Sequence, residues 1–106
     1  MHVAVTVTPV GPPPVPIIIG GDLIETISRE LILDGTGSTD PSGGTLTYLW
    51  EPVGTGSAVL DNGQARTRVQ LGGLFGDYIF RLTVRNAAGQ TASSTITVRF
   101  KSTTVP

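Results

Sequence analysis

The stretch from Leu31 to Trp50, LILDGTGSTDPSGGTLTYLW, limits what this chain can fold into more than any other. It opens with a short alternating segment in which Leu31 and Leu33 share a face. It closes with another, in which Leu46, Tyr48 and Trp50 share a face. Between them lie twelve residues drawn only from Gly, Ser, Thr, Asp and Pro. A two-residue apolar period is the mark of a half-buried strand, and the middle segment is dense in residues that make tight turns. The stretch therefore reads as strand, compact loop, strand, with a large aromatic ring closing the second strand.

The same period recurs on both sides. Val3–Thr8 alternates, with Val3, Val5 and Val7 on one face, and the run PVGPPPVP from Pro9 to Pro16 favours polyproline II, a semi-rigid connector. Ile17–Ile19 reads as a buried first strand, since short β-branched runs are usually core. Gly20 and Gly21 would then let the chain bend from one sheet to the other. Past Trp50, the segment EPVGTG carries Pro52 and two glycines and does not suit a central strand. Ser57–Leu60 is a short strand, and Asp61-Asn62-Gly63 is a turn signal. Arg66–Leu71 alternates with Thr67, Val69 and Leu71 inward. Gly76–Arg85 is the clearest strand, with Tyr78, Phe80, Leu82 and Val84 on one face. Asn86–Gly89 turns the chain, and Thr91–Phe100 returns with Ile96, Val98 and Phe100 inward. No segment has a helical period. Strands at intervals of about ten residues with turn chemistry between them imply an all-β sandwich.

At 106 residues the chain suffices for one core. It has no cysteine, so packing and not disulfides must hold it. Seven basic and eight acidic side chains leave a net charge of −1, which argues against an electrostatic grip on nucleic acid or membrane. No apolar run is long enough to span a bilayer. The N-terminus lacks a basic stretch and a cleavage site, so it does not read as a signal peptide. Export would place this segment inside a longer polypeptide.

Leu33, Asp34, Gly35, Ser38, Asp40, Pro41, Gly43, Tyr48 and Trp50 fall in register with a signature of the PKD (polycystic kidney disease repeat) domain, "LdgsgSsDpdG…l.Y.W". Gly76–Val98 resembles the closing hairpin of the same family, "G.Y.F.LTV.N..G..A…ITV". The resemblance covers about Val15 to Phe100. It implies an immunoglobulin-like β-sandwich of about seven strands in two antiparallel sheets. Residues 15–101 would form the domain and residues 102–106 a C-terminal linker. Residues 1–14 would be an N-terminal strand and Pro-rich linker, with residues 2–8 the last strand of a preceding module, paired either with this domain or with another molecule. Trp50 takes the place of the core tryptophan on the third strand. Tyr78 takes that of the tyrosine corner, its hydroxyl bonded to nearby backbone. Phe80 fills the space of the missing disulfide, against Trp50 across the two sheets. Tyr48 and Leu33 complete the expected core.

Candidate chemistry is thin. His2 is the only histidine and no cysteine exists to act as a nucleophile, so an enzyme is not expected. Some PKD domains bind calcium through acidic residues of the Leu31–Trp50 loop, which here offers Asp34 and Asp40. Ser42 stands where a further carboxylate is common. Calcium prefers six to eight hard oxygens, so the expected role of Asp40 is to cap its own turn, and no cofactor is expected. Arg81, Arg85 and Arg99 should project from one sheet face beside Thr47, Leu49 and Glu51, either as a recognition face or as a solvated one. Phe75, in the Gly-rich loop before the penultimate strand, is the one ring expected to be exposed. Asn62 and Asn86 lack the N-glycan sequence, and Lys101 is the sole lysine, so neither glycan nor isopeptide crosslink is expected. The resemblance implies a non-catalytic extracellular or cell-surface module. Its role would be adhesion to a protein or carbohydrate partner, or passive spacing between neighbouring domains of the same chain, or a glycan-binding accessory to a secreted hydrolase.

Overall fold

A computed structural model describes residues 11–54 and 56–102. Seven strands build it: β1 (Leu23–Thr26), β2 (Glu30–Asp34), β3 (Thr47–Val53), β4 (Ala58–Val59), β5 (Arg66–Gln70), β6 (Gly76–Arg85) and β7 (Thr91–Phe100). They form a four-stranded sheet in the order β1-β7-β6-β3 and a three-stranded sheet in the order β2-β5-β4. Every ladder is antiparallel except β1 with β7, which is parallel. Expected strand 2–8 lies outside the described residues.

The two-residue period fixes which side chains meet between the sheets. Trp50, Phe80, Leu82, Val84, Ile96, Val98 and Phe100 come from the four-stranded sheet. Leu33, Val69 and Leu71 meet them from the other side, all essentially without exposure. Tyr48, Tyr78 and Leu31 pack at the margin. Thr67 is also buried, its hydroxyl accepting from the Asp61 N–H at 3.1 Å and donating to the Arg68 carbonyl at 3.2 Å. No buried side-chain polar atom among the described residues lacks a partner, as a stable interior requires.

Three expectations need correction. Trp50 and Phe80 do not face each other across the sheets. Trp50 pairs with Leu82 and Phe80 with Pro52, so both rings belong to the four-stranded sheet, as diagonal neighbours on β3 and β6. Ile17–Ile19 is not a strand and only Ile18 is buried, while Ile17 and Ile19 are exposed. A single residue reaches the core there because the segment lies along the margin of the sandwich. Its backbone is tied to the β2 side by a Val15–Thr39 bridge and by Ile19 N–H donating to Asp34 O at 2.8 Å. The buried Ser38 hydroxyl clamps Ile17, accepting its N–H at 2.9 Å and donating to its carbonyl at 3.3 Å. Gly20 and Gly21 then take φ of 112° and 82°, a region open to glycine, and deliver the chain to β7 in the opposite sheet. The bend between sheets is thus real, with the regular strand after it rather than before.

Thirdly, β3 runs through Pro52 to Val53 instead of ending at Trp50. Trp50 N–H points away from β6, donating to Asn62 O at 2.9 Å. Two residues on, the missing N–H of Pro52 falls on the same outer edge, where no ladder bond is lost.

Candidate functional site

Cross-strand register builds an ordered outer face on the four-stranded sheet. Val53, Ile79, Thr97 and Leu23 stand side by side, one from each of β3, β6, β7 and β1. Three of the four are large apolar side chains turned to solvent, with Val53 42%, Ile79 39% and Leu23 41% exposed. On one side runs the row Glu51–Arg81–Thr95, and on the other Asp77–Arg99–Glu25. The apolar row therefore lies between two charged ones, with Leu49 a further exposed apolar residue toward the β6–β7 turn.

Those charges are paired. Arg81 lies 3.5 Å from Glu51, and Lys101 Nζ 2.7 Å from Glu25. Arg99 grips Asp77 through Nε at 2.9 Å and Nη2 at 3.4 Å. Hydrogen bonds from Arg99 and Lys101 hold the carboxyls of Asp77 and Glu25 below their ordinary range, and Asp77 in turn raises Arg99. Exposed pairs of this kind add little stability. Their effect is to leave a nearly neutral border around the apolar row. Arg85 belongs to the same face but has no ion pair among the described residues, and Thr47 Oγ1 donates to its carbonyl at 3.5 Å.

Asp34 and Asp40 are each engaged by their own turns. Asp34 Oδ1 accepts the N–H and hydroxyl of Thr36 at 2.8 and 2.6 Å, and Oδ2 accepts Arg66 Nε at 3.0 Å. Asp40 accepts Ser42 N–H and Gly44 N–H, both at 3.1 Å. These are Asx turns, in which the carboxylate stands in for a backbone acceptor. Among the described residues no group of three acidic, histidine or cysteine side chains is gathered as a metal would need.

Thr36 and then Arg66 stabilise the ionised Asp34, so its pKa lies below the ordinary value. A depressed carboxylate contributes stability above its unfolded pKa and loses it as pH falls through the folded one. The melting temperature should therefore hold steady through neutral pH and fall once the solution drops below about pH 4. Asp34→Asn should flatten that acid limb, as followed by circular dichroism. An unchanged limb would show that Asp34 plays no part in it.

Phe75 is 62% exposed, and its ring packs edge-on against Phe100 with centroids 4.9 Å apart. It borders a shallow depression of about 350 Å³ whose other walls include Gly56, Gly72, Leu74 and Tyr78. The Tyr78 hydroxyl donates to Leu74 O at 2.6 Å, fixing the loop that carries Phe75. Tyr78→Phe should lower stability by about 0.5–1.5 kcal/mol through loss of that bond. An unfolding free energy equal to wild type would show the loop to be held by other contacts.

Sequence reasoning located the arginines and Phe75 but not the apolar row. Leu23, Val53 and Ile79 lie on three separate strands and carry no motif of their own. Only the register of four strands aligns them.

A protein folded in this way has known counterparts. A nucleoside hydrolase-related hypothetical protein from Saccharophagus degradans, described as associated with carbohydrate metabolism, contains a similar fold, with a TM-score of 0.74 at 22% identity over 83% of this chain and 25% of that one. The solution structure of the PKD domain from the KIAA 1837 protein superposes with a TM-score of 0.67 at 23% identity, over 84% of this chain and 89% of that one. In sequence, the chain is 38% identical over 74 residues to the dyslexia-associated protein KIAA0319 homolog of Rattus norvegicus. That match takes in 69% of this chain but only 7% of the relative's length. Residues 20–99 match the family described as "K319L-like, PKD domain", which spans all seven strands but the last residue of β7. The family match covers most of the sandwich, and this chain belongs to the PKD domains.

Proposed function

We propose that the chain is a non-catalytic extracellular interaction module of a longer polypeptide, and that the outer face of β1-β7-β6-β3 takes a protein partner. The observation that carries this reading is the apolar row Val53–Ile79–Thr97–Leu23 within its paired charges. Protein interfaces join an apolar centre to a polar rim in this manner. Membership of a family of usually non-catalytic modules supports the absence of an active site. A glycan platform has weaker support, because Phe75 is the only exposed ring of the six.

A spacer role is favoured by a different observation. Gln90 Nε2, beside the β6–β7 turn, donates to Gly11 O at 3.0 Å, so the described chain enters at that end of the sandwich. It leaves after Phe100 at the other end, with β1 and β7 running parallel. Tension on the two ends would shear that pair along its length instead of peeling it bond by bond.

The discriminating experiment couples the folded chain to beads and scores adhesion of the beads to one another and to cultured cells. Ile79→Glu lies on the exposed row, so stability should change by only about 0.5 kcal/mol, while adhesion should weaken about tenfold or more, as for loss of a central contact. Adhesion that survives the substitution would remove this face from consideration. No adhesion by either protein would favour the spacer.

A further inference from the structure

The turn between β4 and β5 presents an exposed Asn-Gly pair. Asp61 O accepts Gln64 N–H at 3.1 Å, which places Asn62 and Gly63 at the two central positions of a β-turn. Both are exposed, and the Asn62 side-chain amide has no hydrogen-bond partner among the described residues. Nothing lies within 4 Å of where a Cβ on Gly63 would sit. The flanking backbone is held firmly. Trp50 N–H donates to Asn62 O at 2.9 Å, the Trp50 indole donates to Gln64 O at 3.0 Å, and Asp61 binds Arg68 Nε at 3.1 Å.

We infer that Asn62–Gly63 is a site of spontaneous covalent modification, and that its product acts on the core tryptophan. The Gly63 backbone nitrogen attacks Asn62 Cγ. The new N–Cγ bond forms, the Cγ–Nδ2 bond breaks, and Nδ2 leaves as ammonia with the proton that the Gly63 nitrogen gives up. Water then opens the five-membered imide at either carbonyl, giving aspartate or isoaspartate at this position. A glycine with open space around it offers the attacking nitrogen the least steric resistance. In the isoaspartate product the chain runs through the former side chain and is one carbon longer. The former Asn62 carbonyl, which accepts Trp50 N–H, becomes a free carboxylate. The bond closing the outer edge of β3 over Trp50 is thereby remade or lost, and the module carries an age-dependent weak point beside its largest core residue.

The test holds the purified folded chain in mildly alkaline buffer at body temperature and follows the tryptic peptide between Arg29 and Arg66 by mass spectrometry. The expected result is a growing fraction shifted by about one mass unit, with isoaspartate at Asn62 shown by fragmentation. The aged sample should melt at a lower temperature and show red-shifted tryptophan emission. Gly63→Ala should suppress the shift while the fresh variant melts as wild type, because Gly63 is not among the residues with positive φ and an added Cβ meets nothing. If the folded chain stays unmodified while the same chain in denaturant is modified, the native turn protects the step and the inference fails. Modification without any change in melting or emission would overturn the link to Trp50.

Discussion

Trp50→Ala is expected to lower the free energy of unfolding by about 3–5 kcal/mol, the range for truncating a large buried aromatic. Trp50 is 1% exposed and is the largest fully buried side chain in the structure. Its removal would leave a cavity between Leu82 and the β4–β5 turn, because the sandwich holds both walls in place. It would also orphan the Gln64 carbonyl, which accepts the indole N–H at 3.0 Å, with the Ala65 carbonyl next at 3.4 Å. Gln64 itself is exposed, so water can replace that donor, and the cavity accounts for most of the expected loss. Urea denaturation followed by circular dichroism would measure the loss. A midpoint indistinguishable from wild type would mean that Trp50 does not anchor the sandwich.

Gly35→Val should destabilise by about 3 kcal/mol, the upper end of the range for overpacking. Gly35 is not among the glycines with positive φ, so its backbone conformation does not by itself demand glycine. The constraint is space. A Cβ there would lie 2.7 Å from Leu82 Cδ2 and 3.2 Å from both Trp50 Cζ2 and the Ala65 carbonyl. Leu82 can shift by rotamer change, but Ala65 O is held by Gly35 N–H at 2.8 Å, so the added atoms meet fixed backbone. Gly35→Ala should fall between wild type and Gly35→Val. If the valine variant unfolds with the wild-type midpoint, the close packing of this turn on Trp50 is not tight in solution. The pair of results would also explain why glycine stands at this position of the turn, directly over the tryptophan.

Much of the fold was legible in the sequence, and the reason is local. A strand with one buried face must alternate, so Leu33, Trp50, Val69, Phe80, Leu82, Val84, Ile96, Val98 and Phe100 declared themselves as core, and all are buried. Turns depend on residues close in the chain, and the Asp40 and Asn86 turns followed in the same way. Asn86 Oδ1 accepts Ala88 N–H at 3.1 Å and Gln90 N–H at 2.9 Å, and Gly89 has a φ of 87°. The bend at Gly20 and Gly21 was also visible, because only glycine adopts such a backbone easily.

What the sequence did not contain was any relation between strands far apart in the chain. The period places Trp50 and Phe80 indoors but says nothing about whether they share a sheet. Their common sheet follows from the pairing of β3 with β6. The pattern of Ile17–Ile19 suggests a strand, yet the edge available to it meets Thr39, Ser38 and Asp34, and leaves two of the three isoleucines in solvent. Pro52 forbids a central strand in any sequence, but only the sheet order shows that β3 is an edge and can keep it. The candidate face depends on this long-range register most of all. Leu23, Val53 and Ile79 come from three strands and become one surface only when β1-β7-β6-β3 are set in line. Alternation is a property of the backbone at each residue, so one chain suffices to read it. Adjacency is decided by the burial and backbone hydrogen bonding that the whole sandwich achieves at once, so only the tertiary structure could supply it.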